Sequence, residues 1–140
     1  MRHAILLFAL ATGALIALDR VAGWAAAYAV AYGALVLMAA AISGTFLWLW
    51  AARATPLAIG MAFSWAGTAS VLGWWWLHRM ADRPSAMDEN ALLFACVALS
   101  LVGAMLHFQV IGRSMGLPRG AFVLPVAAAV ALSALAAAVF

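Results

Sequence analysis

Apolar residues run nearly unbroken along this chain, and the polar positions gather at 19–20, 53–56, 78–90 and 113–120. A membrane-spanning helix needs roughly 20 apolar residues. The stretches between the polar clusters predict spans at 4–18, 21–51, 56–77, 91–112 and 121–140. The expected fold is all-α: a polytopic membrane helical bundle of about five transmembrane helices, one domain over 1–140. Four spans would remain if the first segment were cleaved or peripheral. Met1-Arg2-His3 and the apolar run after it resemble a signal peptide, but Asp19-Arg20 stands where a small-x-small cleavage site belongs. The segment is therefore read as a helix.

Local chemistry sets the expected ends. Pro56 suits a first helical turn, where its missing N–H costs nothing. Pro125 falls inside the fifth span and is expected to kink it or free a carbonyl. Asp88, Glu89 and Asn90 stand where they can cap the fourth helix and oppose its dipole. The second span is long enough to tilt. Its tryptophans Trp24 and Trp48 are about 24 residues apart, or ~36 Å at ~1.5 Å per residue, which fits one tilted crossing between two interfacial belts. The run Trp74-Trp75-Trp76 is expected at the same interface as Trp24.

Composition excludes a water-soluble domain. The chain is 70% hydrophobic and 8% charged, with mean hydropathy +1.14, too little polar surface to cover a soluble fold. All seven cations are arginine. With the heavy use of alanine this suggests GC-rich coding and a bacterial inner membrane. The arginines are scattered over the joints rather than gathered in a patch, so they read as topology determinants and not as a nucleic-acid surface. Five spans put Arg2, Arg53, Arg113 and Arg119 on one side, which predicts a cytoplasmic N-terminus. Arg20, Arg79, Arg83 and all four acids fall on the other side. The single cysteine, Cys96, excludes an intrachain disulfide.

Candidate chemistry lies on two helices. In the fourth, Cys96, Ser100, Gly103 and His107 recur at helical spacing and share one face. His107 is a candidate axial ligand for a haem or chlorin, with Gly103 and Ser100 leaving room for the macrocycle. The plainer reading is an imidazole hydrogen-bonded to a neighbouring helix. In the third, Gly60, Ser64 and Thr68 form a small-residue stripe suited to close packing, and Trp65 is the mid-depth tryptophan. Trp65, Ser64 and Thr68 are the candidate substrate-binding residues. No metal-ligand pattern and no catalytic nucleophile–base pair is evident, so enzymatic activity is the third reading.

Pro56, Gly60, Ala62, Phe63, Trp65 and Gly67 resemble the third helix of the small multidrug resistance exporters. There a proline precedes a Gly-x-Ala-aromatic run and a Trp-x-Gly. The resemblance implies a homo-oligomeric exporter. The Gly-to-Trp spacing here is one short. That family also couples to protons through a glutamate in its first helix. Here the first span offers Thr12 at that depth, with Asp19 at its end, and no acid lies within any expected span.

The leading expectation is an accessory, structural or assembly subunit of a larger membrane complex, with a porphyrin or chlorin held through His107 as one form of it. The alternative is a small-molecule transporter acting as a homo-oligomer. The expected partners are the lipid bilayer and other membrane subunits or further copies of the chain, without nucleic acid.

Overall fold

The computed structural model describes residues 2–118 and 120–139. Arg119, counted above among the topology arginines, Phe140, the expected end of the last span, and Met1 lie outside the described residues. The described residues form five helices, α1 (Arg2–Ala22), α2 (Trp24–Arg53), α3 (Pro56–Met80), α4 (Leu92–Ser114) and α5 (Leu124–Val139), with no strand. Two single 3₁₀ turns, Ser85–Met87 and Ala121–Val123, sit in the connections. Each of the five segments is long and apolar enough to cross a membrane, the fifth counted with its 3₁₀ turn. The fold is all-α, a helical bundle of multi-pass membrane type.

The helix ends follow backbone chemistry more closely than polarity. The first joint was expected at Asp19-Arg20, but α1 continues through both to Ala22, and Gly23 alone links it to α2. Gly23 has φ 83° and ψ 164°, a conformation that essentially only glycine adopts, so the chain turns there whatever the polarity before it. Asp19 is therefore a helical residue near the end of α1, in contrast to the expectation that the acids lie outside the spans.

Beyond α4, Gly116 at φ 69° permits the Leu117 N–H to reach back to the Gly112 carbonyl at 2.9 Å, a Schellman closure. Asp82 plays the same part after α3 at φ 59°, with Arg83 N–H bonded to the His78 carbonyl at 2.8 Å. Pro56 opens α3 as expected. Pro125 does not kink a long fifth helix. It lies in the first turn of α5, after the 3₁₀ turn, where no backbone bond needs its N–H. Of the three expected capping residues, only Asn90 serves: its side-chain oxygen accepts the Leu92 N–H at 3.0 Å. Asp88 instead binds His78 Nε2 at 2.8 Å.

The core is a layer of three antiparallel helices, α2, α3 and α4, with α3 in the middle. Its buried residues are alanines and glycines: Ala27, Ala39, Ala58 and Ala62 among the apolar side chains, with Gly33, Gly60, Gly67 and Gly103 at the seams. Lipid tails are as apolar as leucine, so burying large side chains gains little. Close backbone approach gains dispersion contacts instead. Among the described residues, α1 and α5 bury none. The expected belt residues Trp74, Trp75 and Trp76 point three ways, as successive helical positions must. Trp76 donates its indole N–H to the Ala29 carbonyl of α2 at 2.8 Å, Trp75 is 48% exposed, and the Trp74 indole nitrogen is buried without a partner.

Candidate functional site

The α3/α4 seam is built from complementary small residues. A Cβ placed on Gly60 would come within 2.7 Å of the His107 backbone nitrogen. One on Gly103 would strike the Ser64 backbone, and one on Gly67 the Ser100 backbone. These glycines are what let the two backbones touch. The hydroxyls of Ser64 and Ser100 each approach the other residue's carbonyl at 3.4 Å, long and weak as hydrogen bonds. The stripe expected on α3 ran through Gly60, Ser64 and Thr68. The residues in the seam are Gly60, Ser64 and Gly67, and Thr68 is displaced onto its flank.

Gly103 and Ser100 were expected to leave space for a macrocycle. That space is filled by the backbone of α3, because the same small size serves the helix contact. His107 is placed differently. One turn beyond Gly103, its backbone still touches Gly60, and its side chain borders a groove of about 360 Å³ alongside the seam. Met61, Ser64, Trp65 and Thr68 line it from α3, and Ala104, His107 and Phe108 from α4. The structure thus joins His107, from the cofactor candidates, with Trp65, Ser64 and Thr68, the substrate candidates, in one place. Met61 and Phe108 were not singled out from the sequence. Both are ordinary apolar residues in an apolar helix and carry no local signal.

The polar groups in the groove are few. The Thr68 hydroxyl donates to the Ser64 carbonyl at 2.9 Å, within its own helix. The Ser64 hydroxyl is turned to the Ser100 carbonyl. Neither bonds His107, so the groove holds no nucleophile–base pair. The His107 ring meets Phe108 edge-on, with centroids 5.9 Å apart. Its Nδ1 is buried without a hydrogen-bond partner among the described residues. An unpaired polar group in such surroundings costs about 1–3 kcal/mol. With almost no exposed surface, this nitrogen gains a partner only if the side chains around it move. Among the described residues, no group of three or more His, Cys, Asp or Glu is placed to hold a metal ion.

A second cleft, of about 450 Å³, opens where α1 folds back along α2 from Gly23. Thr12, Leu15, Ile16 and half-buried Asp19 face Trp24, Tyr28 and Tyr32 across it. No protein-family model, no curated protein and no solved structure matches the chain.

Proposed function

We propose that this protein is an accessory or assembly subunit of a larger membrane complex, and that the α3/α4 groove at His107 is where a partner meets it. The observation that carries this reading is the groove open at the side of the bundle, lined by His107 from α4 and Trp65 from α3. The absence of buried residues in α1 and α5 supports it, since both helices remain free to pack against other chains. A haem or chlorin on His107 would lie in the groove against Trp65 and Phe108, covered on its far side by the partner. The proposed setting is a bacterial inner membrane with a cytoplasmic N-terminus, for which the arginine distribution speaks.

The test is native mass spectrometry on protein extracted gently from its own membrane. The expected result is a species carrying an unrelated subunit or a cofactor, which His107→Ala sheds. A homo-oligomer with nothing bound sinks this reading.

One observation favours a homo-oligomeric small-molecule transporter as the second reading. Asp19 is a helical carboxylate beside a cleft, and ionisable groups in such places are what coupled transport uses. Substrate uptake by vesicles that Asp19→Asn abolishes would establish that reading instead.

A further inference from the structure

At the end of the bundle where α2 begins and α3 finishes, aromatic and cationic side chains converge. Tyr28 and Tyr32 stack with their ring centroids 4.2 Å apart. The Arg79 guanidinium carbon lies 4.2 Å from the centroid of the Tyr28 ring, over its face, a cation–π contact. Trp75, His78 and Arg83 complete a pocket of about 380 Å³.

The arginines there are unpaired. Among the described residues, neither Arg79 nor Arg83 has a carboxylate within ion-pair distance. Of the three acids of the neighbouring loop, Asp88 is engaged by His78 at 2.8 Å, and Asp82 and Glu89 lie beyond ion-pair distance of either arginine. Asp19 lines a different space, the α1/α2 cleft on the other side of the tyrosines. Tyr28 and Tyr32 line both spaces, so a cationic pocket and a largely apolar cleft adjoin at the tyrosines. The arginine pocket stands at the end of the bundle marked by Trp24, where lipid headgroups meet hydrocarbon, and Tyr32 lies roughly 12 Å deeper along α2. A polar anion pocket joined to an apolar slot has the form of an amphiphile.

We propose that this double pocket binds a phosphate-headed lipid. Arg79 and Arg83 hold the phosphate by charge-assisted hydrogen bonds, and the acyl chain runs into the α1/α2 cleft beside Leu15 and Ile16. Asp19, at the cleft, keeps the negative head on the arginine side of the tyrosines by like-charge repulsion. The site is separate from the His107 groove and does not depend on its role.

The experiment is native mass spectrometry of the full chain in detergent, titrated with phosphatidylglycerol, phosphatidylcholine and glycerol phosphate. A one-to-one phosphatidylglycerol adduct is expected, retained more strongly than phosphatidylcholine. Replacing both arginines (Arg79→Gln with Arg83→Gln) should lower retention about tenfold, the loss of a strong charge-assisted contact. Arg53→Gln, at the opposite end of α2, should leave it unchanged. Ile16→Trp fills the cleft without touching either arginine, and it should lower lipid retention while the chain stays folded.

Equal retention by the double variant overturns the proposal, and so does an equal loss in Arg53→Gln. Glycerol phosphate binding as tightly as the lipid also overturns it, leaving a free phosphate compound as the ligand. Should the double variant fail to fold, Ile16→Trp decides alone: unchanged retention rejects the lipid site.

Discussion

Helix α3 has two seams, and they use glycine in opposite ways. Toward α4, Gly60, Gly67 and Gly103 each face backbone atoms of the other helix. Toward α2, Gly33 faces a side chain: a Cβ there would lie 2.9 Å from Trp76 Cζ2. The α4 seam is backbone against backbone, with weak hydroxyl contacts at 3.4 Å. The α2 seam is a knob and a notch, held by the Trp76–Ala29 bond at 2.8 Å and by Ser43 donating to the Ala62 carbonyl at 2.8 Å. Backbone cannot yield and an indole can. The two seams should therefore differ in tolerance to added volume more than in strength.

The largest effect is expected from Gly103→Leu. The side chain has nowhere to go but into the Ser64 backbone, so α3 and α4 must separate, at a cost of about 3 kcal/mol. Equilibrium unfolding in mixed micelles measures it. Gly44→Leu serves as control, because nothing lies within 4 Å of a Cβ at Gly44. If the two variants unfolded alike, the close seam would be refuted.

A smaller effect is expected from Gly33→Ala. The Trp76 ring can shift by a few tenths of an ångström, so the loss should be ~1 kcal/mol, and it should vanish in a Trp76→Phe background. Additive losses in that double-mutant cycle would mean that Trp76 does not occupy the notch. The smallest effect belongs to Ser64→Ala and Ser100→Ala. At 3.4 Å their bonds are long, and each change should cost ~0.5 kcal/mol or less. A loss as large as that of Gly103→Leu would show that hydroxyls, rather than close approach, hold this seam.

Much of the α4 seam was legible before the fold. Gly60 and Ser64, and on the other helix Ser100, Gly103 and His107, stand out as small or polar positions in apolar helices. Their spacings of four and three, run in opposite directions, are those of two antiparallel helices meeting in register. The small-residue stripe read on α3 omits Gly67, because Thr68 offers the more regular spacing one position on. That one position moved Thr68 from the seam to the groove. The pairing of Trp65 with His107 had no sequence signal. Each residue sits next to the seam on its own helix, and only the register of α3 on α4 brings them together. The cationic pocket was divided in the same way, with its tyrosines on α2 and its arginines at and beyond the end of α3. Neither half by itself forms a pocket.

The sequence by itself determined that this is an all-helical chain of five membrane-grade segments. In lipid every backbone N–H and C=O must find its partner within the segment, so hydropathy and helix run together, residue by residue. It determined the start of α3 at Pro56, where the missing N–H suits a first helical turn. Tertiary structure decided which small-residue faces meet and in what register. Hydrophobicity does not distinguish a partner helix from lipid, so burial falls to whichever small residues the register brings opposite one another. That register placed Gly103 against backbone and set His107, one turn further along, beside an open groove.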